Sequence, residues 1–396
     1  MFPVTLLFMW LMGLVSVAIV YGGGYYLWAW YTQEIECTWP LVLGVVFLAF
    51  ALLGRFLLVP LLGKRPEHPE QEPRMERSRE THLLARPDGT ELFIEMAGPE
   101  NAPVLLMTHG WGMNATEWFY AKKHLTDSYR LVMWDLPGLG NSRGPKDRDW
   151  SIEKMARDLE AVLDFLEDRK VVLVGHSIGG MITLKFCELF PEHLQSRVVG
   201  LVLNHTTFTN PVKTARGGGF WRAIQGPVLK PICHLTLWTW PISWAMNFLS
   251  YLNGGLHLLN HLTQFGKSET RGQLEFASLY NVLASPAVSV RGMFGMMKYD
   301  AEEVLGKIPV PALVIAGQDD VVTVPEANHH IARHIPQSRE VVLNPGGHLG
   351  LIEKHPFWLN EVKAFSRECF DASFRARSYS QKDLKAAHKP RGVTGS

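Results

Sequence analysis

Val171-Val172-Leu173-Val174-Gly175-His176-Ser177-Ile178-Gly179-Gly180 is the stretch that decides the fold. Four apolar residues rich in valine read as a buried strand. Gly-His-Ser-Ile-Gly follows, and residues 181–186 read as the start of a helix. Strand, Gly-x-Ser-x-Gly, helix is the context of a nucleophile elbow, a sharp turn that holds its serine in a strained backbone conformation. Glycines at 175 and 179 leave room for strand and helix to pack around Ser177, whose oxygen then projects into a cleft beside the N–H groups at the helix start.

Upstream, Val104-Leu105-Leu106-Met107-Thr108 suits a second buried strand and runs into His109-Gly110-Trp111-Gly112. A strand followed by His-Gly-x-Gly is where the second donor of an oxyanion hole is expected, so the main-chain N–H groups of Trp111 and Ile178 are the candidate pair. His109 reads as a structural histidine of that loop. Residues 131–134 form a further strand and lead to Asp135-Leu136-Pro137-Gly138-Leu139-Gly140-Asn141-Ser142. Around these lie a hairpin at 82–95, turned at Asp88-Gly89, and a helix at 151–166 with Ser151 as N-cap. A buried strand at 198–203 follows the elbow helix.

His-Gly-x-Gly, Asp-x-Pro-Gly-x-Gly-x-Ser and Gly-His-Ser-Ile-Gly-Gly, in that order and spacing, resemble the α/β-hydrolase superfamily over roughly residues 80–370. The resemblance implies an α/β fold, a mostly parallel sheet flanked by helices, with a site at the carboxyl edge of the strands. It also implies that Asp135 shapes its turn. The strand at 310–317 delivers Gln318-Asp319-Asp320, where the family pattern puts the triad acid at Asp320, with Thr323 and Pro325 following. Asp319 is the alternative, because register slips easily in such turns. A last strand at 340–343 precedes Asn344-Pro345-Gly346-Gly347-His348, and His348 matches the family's base. The implied triad is Ser177, Asp320 and His348: the imidazole removes the serine proton and later protonates the leaving group, and the carboxylate holds its tautomer. His176 reads as support for the elbow, and His329, His330 and His334 as solvated residues of a surface helix. No metal or organic cofactor is needed.

Composition narrows the setting. The net charge of +1 over 396 residues offers no field for nucleic acid. Hydrophobic residues at 47% and charged residues at 19% are apolar values for a soluble enzyme, and the excess is concentrated in two places. Cys37, Cys187, Cys233 and Cys369 are too scattered for a zinc site or a disulfide framework.

The first concentration is the N-terminus. Residues 4–30 are long and apolar enough to cross a bilayer, with aromatics clustered toward the C-terminal end. A signal peptide fits poorly, since no Lys or Arg precedes the run and the run is too long. After a link carrying Glu34 and Glu36, a second apolar run covers 39–62, interrupted by Arg55, which either snorkels or faces protein. Lys64 and Arg65 follow, and the positive-inside rule puts this basic flank in the cytoplasm. The expectation is a multi-pass anchor of two transmembrane helices over 1–63, a charged linker over 64–80, a cytoplasmic catalytic domain over 81–374 and a basic, disordered tail over 375–396.

The second concentration is an insertion at about 208–305, where the family carries a helical cap. Residues 231–266 contain no Asp, Glu, Lys or Arg, and Trp221, Trp238, Trp240 and Trp244 crowd its first half. A third span here would separate Asp320 and His348 from Ser177 across the membrane. A cap that lines an acyl pocket and dips into the interface, or one with an ordinary buried core, fits instead.

The resulting expectation is a membrane-anchored serine hydrolase, lipase- or esterase-like, that cleaves carboxylic esters of apolar or lipid substrates through an acyl-enzyme on Ser177. An acyltransferase or thioesterase on the same triad is the first alternative, and an inactive membrane-bound binding protein the second. Dehalogenases and epoxide hydrolases of the family have Asp at the elbow, where this chain has Ser177. Oligomeric state, acyl length and the natural ester are not set by the sequence.

Overall fold

The computed structural model describes residues 4–35 and 37–387; Glu36 of the expected acidic link and residues 388–396 of the expected tail lie outside the described residues. At its centre is an eight-stranded sheet: β1 Glu80–Ala85, β2 Glu91–Ala97, β3 Val104–Thr108, β4 Arg130–Trp134, β5 Val171–His176, β6 Val198–Asn204, β7 Ala312–Gly317 and β8 Ser338–Leu343, in the order β1-β2-β4-β3-β5-β6-β7-β8. The β1–β2 hairpin is antiparallel and joins β4 antiparallel; every pairing from β4 to β8 is parallel. Strands β3 to β7 are buried along their length. That is why they read as continuous apolar runs and not as alternations.

Successive side chains still divide between the two faces. Leu105, Met107, Val172 and Val174 pack with Leu125 of α4 (Phe119–Leu125) and with Trp358 and Phe365 of the C-terminal helix. Leu106, Leu173 and Leu201 pack with Leu159 of α5 (Ile152–Phe165) and Ile182 of α6 (Ile178–Leu189). Ser151 caps α5, its hydroxyl accepting from Lys154 N–H at 3.1 Å. Cys187 is buried in α6, where burial pushes its thiol up to about 12, so it fills space and is not a thiolate.

Between β6 and β7 lies the helical cap: α7 Pro211–Thr214, α8 Gly218–Ile224, α9 Lys230–Trp238, α10 Trp240–Leu252, α11 Gly255–Thr263, α12 Arg271–Leu283 and α13 Pro286–Met296. Its longest helices have 13 residues, too short to cross a bilayer. The apolar residues are split: Met246, Tyr251, Leu256 and Leu259 are buried, whereas Trp238, Ile242 and Phe248 are exposed. The chain then continues through α14 Pro325–His334, α15 Gly350–Glu353 and α16 His355–Ala387. Helix α16 therefore runs on past residue 375, where the basic composition led us to expect disorder.

The N-terminal section departs from the expected hairpin of two straight spans. Helix α1 (Val4–Tyr31) is the one described helix long and apolar enough to cross a membrane. The second apolar run is two helices, α2 Trp39–Leu53 and α3 Arg55–Leu62, bent by 59° at the break between them. Arg55 stands next to the break. Its guanidinium faces protein, pairing with Glu275 of α12 at 3.2 Å and lying 4.8 Å from the Tyr251 ring centre, so α3 is drawn onto the cap. The segment called a linker is also docked: Glu72 accepts from Thr270 Oγ1 at 2.8 Å, and Arg77 forms a two-pronged pair with Asp135 at 3.0 and 2.9 Å.

The elbow depends on close packing. A Cβ on Gly179 would lie 2.2 Å from Thr108 O, a contact no side chain tolerates. Gly179→Ala is therefore expected to lower stability by about 1–3 kcal/mol, read as a lower denaturant midpoint; a midpoint equal to wild type would contradict this packing.

Candidate active site

Parallel pairing sets the ends of the strands side by side. Thr108 of β3 is in register with Gly175 of β5, so the loop 109–112 emerges beside Ser177. His176 is in register with Asn204 of β6, Asn204 with Ile315 of β7, and Gly317 with Leu343 of β8. The loops carrying Asp320 and His348 thus leave neighbouring strand ends on the same edge. This edge is where ligands bind in open α/β sheets.

Ser177 stands between β5 and α6 with φ 53° and ψ −116°, a conformation rarely adopted outside glycine. Three bonds pin it there. Its N–H donates to Asn204 O at 2.9 Å, its carbonyl accepts from Thr206 Oγ1 at 2.6 Å, and Gly180 N–H also donates to that carbonyl at 3.0 Å. His348 Nε2 is 3.0 Å from Ser177 Oγ, and His348 Nδ1 is 2.8 Å from Asp320 Oδ2. With Nδ1–H donating to the carboxylate, Nε2 is left as an acceptor for the serine O–H. The buried Asp320 also accepts from Val322 N–H and Thr323 N–H at 2.8 and 2.9 Å and from Thr323 Oγ1 at 2.9 Å. Asp319, the alternative acid, is exposed and accepts instead from Gly346 N–H at 3.2 Å, bracing the His348 loop.

Burial by itself would raise the Asp320 carboxyl; the charge and hydrogen bond of His348, with the Thr323 N–H, outweigh it and hold the group below its ordinary 3.8. For His348 burial wins over the attraction of Asp320, and the imidazole lies below its ordinary 6.5. It is therefore neutral at pH 7 and able to accept a proton.

Trp111 and Ile178 flank the serine. Gly110 N–H is taken by Glu117 Oε2 at 2.8 Å, and Met113 N–H by Gly110 O at 3.1 Å. The main-chain bonds of α6 begin at Gly180 and Met181. The N–H groups of Trp111 and Ile178 are left outside both sets among the described residues. The Trp111 indole is tied to the cap, donating to Ser289 O at 2.9 Å and lying so close to Gly292 that a Cβ there would be 2.0 Å from the ring. Trp111 and Ser177, with Gly110, His176, Tyr280 and His348, line a cleft.

His109 is structural. Leu136 N–H donates to its Nε2 at 2.9 Å, so Nδ1 carries the proton and donates to Gly110 O at 2.8 Å. Asp135 holds its turn through Ala115 N–H and Asn141 N–H. His176 supports the elbow from below, with Nε2 3.0 Å from His348 O and Nδ1 paired with Glu117. The histidines of α14 are less free than expected, since His329 pairs with Glu340 and His330 with Glu302.

Two neighbours of the site were missed from sequence. Glu117 is fully buried and clamps the 109–112 loop; burial would raise its carboxyl, but His176 overrides this and lowers it. His205, at the end of β6, has its Nδ1 3.7 Å from Asp320 Oδ2, and burial pushes it down to about 3. No local period marks either residue. Among the described residues, Glu302–His330–His334 and Glu160–Asp164–His193 could each hold a metal ion, and neither includes a residue of the Ser177 cluster.

The family model for the alpha/beta hydrolase fold matches residues 103–224. A provisionally named carbamate hydrolase of Pseudomonas savastanoi pv. phaseolicola is 28% identical over 252 residues, 63% of this chain and 87% of its own length. The pimeloyl-[acyl-carrier protein] methyl ester esterase of Nitrosomonas europaea is 28% identical over 285 residues, 71% of this chain and 98% of its own. Among solved structures, an esterase from Exiguobacterium antarcticum superposes with a TM-score of 0.58 at 23% identity, covering 74% of this chain and all of its own. The sheet order, the turn at Ser177 and these likenesses give the chain the α/β-hydrolase fold.

A base lowered by burial stays neutral to lower pH. The acid limb of kcat/KM for a non-ionising ester is therefore expected to have its midpoint below 6.5; a midpoint above 6.5 would contradict the burial argument.

Proposed function

We propose that this chain is a membrane-anchored serine hydrolase that cleaves carboxylic esters of apolar or lipid substrates through an acyl-enzyme on Ser177. The observation that carries the reading is the continuous relay from Asp320 Oδ2 through His348 to Ser177 Oγ, at 2.8 and 3.0 Å. Ser177 Oγ attacks the ester carbonyl as its proton passes to His348 Nε2. The negative oxygen that forms accepts hydrogen bonds from Trp111 N–H and Ile178 N–H. The intermediate collapses, His348 returns the proton to the departing alcohol, and the acyl group stays on Ser177. Water, deprotonated by the same imidazole, then adds to the acyl carbon and releases the acid and the free serine. Asp320 keeps Nδ1 protonated and offsets the charge of the imidazolium.

The membrane part of the proposal rests on α1, whose 18-residue windows are apolar and mostly unburied. It rests also on the exposed apolar side chains of the cap, Trp238, Ile242 and Phe248. In this reading α1 crosses the bilayer, the bent α2–α3 pair returns, and the basic flank at Lys64 and Arg65 keeps the catalytic section in the cytoplasm. The relatives named above act on esters or carbamates by name; an apolar acyl chain is what the anchor and the cap add for this chain.

A fluorophosphonate reporter applied to the detergent-solubilised full chain is expected to label wild type and to lose all labelling in Ser177→Ala with an unchanged melting temperature. Folded wild-type protein that stays unlabelled would sink the serine mechanism.

A further inference from the structure

The helix read as an anchor is also built into the cleft. Thr5, in the first turn of α1, lines the cleft that holds Ser177 and His348. Thr5 is 1% exposed, and its hydroxyl has no hydrogen-bond partner among the described residues. A buried hydroxyl without a partner is unfavourable and rare, and where it lines a cleft it points to a ligand group that completes it. Next to this cleft is a second, narrow pocket, walled by Leu6, Met9 and Trp10 of α1, Met246 of α10, and Val290 and Met293 of α13. Asn281 lines both spaces, so they adjoin. The first holds the polar groups of Ser177 and His348, and the second is lined mainly by apolar side chains, with Thr236, Ser243, Asn247, Asn281 and Ser289 among them.

The seating of α1 on the cap is specific. Trp10 Nε1 donates to Thr236 Oγ1 at 2.9 Å, Ser16 Oγ is 2.9 Å from Ser250 Oγ, and Asn253 Nδ2 donates to Ser16 Oγ at 2.7 Å.

We infer that α1 is a wall of the substrate site: the apolar cavity between α1, α10 and α13 takes the acyl chain, and Thr5 hydrogen-bonds a hydroxyl of the alcohol part. The substrate class is a single-chain amphiphile, an ester of a long apolar acid with a hydroxyl-bearing alcohol. The inference rests on the proposed Ser177 mechanism. The chain end reaches its cavity from the bilayer side, along the face that α1 and α10 share, while the ester stays at the polar edge beside Ser177.

The test compares 4-nitrophenyl decanoate with 4-nitrophenyl acetate on the full chain, with rates normalised to fluorophosphonate-labelled Ser177. Met9→Trp, which fills the cavity, is expected to lower the decanoate-to-acetate ratio of kcat/KM by about tenfold or more. Trp10→Ala, which enlarges it, is expected to move the preferred chain to greater length. Misfolding alone would not produce opposite shifts. Leu14→Trp, on the exposed side of the same helix at 57% exposure, is expected to leave the ratio alone. For the polar end, Thr5→Val should lower kcat/KM on monodecanoylglycerol about tenfold relative to methyl decanoate. Ratios within twofold of wild type in both Met9→Trp and Trp10→Ala, with Ser177 still labelled, would overturn the acyl cavity and leave the mechanism standing. Equal losses on both decanoates in Thr5→Val would overturn the role of Thr5. A wild-type chain that neither labels nor hydrolyses any of these esters would remove the mechanism itself, and this inference with it.

Discussion

The turn from β5 into α6 is the constraint on which the rest of the molecule depends. Ser177 can hold φ 53° only because its neighbours leave no alternative. Gly179 is pressed against Thr108 O, Asn204 O takes the Ser177 N–H, and Thr206 Oγ1 donates to the Ser177 carbonyl. Each of those partners lies on an adjacent strand or just past its end. The parallel register that aligns Thr108, Gly175 and Leu203 therefore also strains the serine and aims it at the cleft.

Electrostatics sets what the cleft can do. A buried carboxylate is costly unless donors surround it, and Asp320 has four, from Val322, both groups of Thr323, and His348. The same burial keeps His348 neutral. A neutral imidazole between a fixed anion and a hydroxyl is arranged to take a proton and return it, which is what two-step acyl transfer requires. Glu117 serves the other side of the cleft: it clamps Gly110 and faces His176, so the 109–112 loop and the elbow share one buried charge.

The sheet was largely legible because its strands are short apolar runs closed by Gly, Pro and Asp, and runs of this kind carry their identity locally. The motifs placed Trp111, Ser177 and His348 at strand ends for the same reason. The family pattern put the acid at Asp320 with Asp319 as the alternative; in the structure Asp320 is buried and Asp319 exposed, and burial is a property of the tertiary structure. Glu117 and His205 had no signal, since a single buried polar residue between apolar neighbours has no period. Composition carried the apolarity of 39–62 but not its 59° bend, next to which Arg55 meets Glu275, a residue 220 positions away. The same limit hid Thr5. An apolar N-terminal run reads as an anchor, and only the packing of α1 on the cap reveals that its first turn borders the cleft.

Helix α1, cap and relay thus adjoin: α1 and the cap wall one pocket, and the neighbouring cleft at the sheet edge holds Ser177 and His348. The central claim is that Asp320, and not its neighbour, holds the His348 tautomer. The most direct measurement is kcat/KM for one ester in Asp320→Asn and in Asp319→Asn. The account predicts a loss of about 10⁴ for the first and a loss under about tenfold for the second, whose side chain braces Gly346. The reverse order, or two losses of similar size, would contradict it.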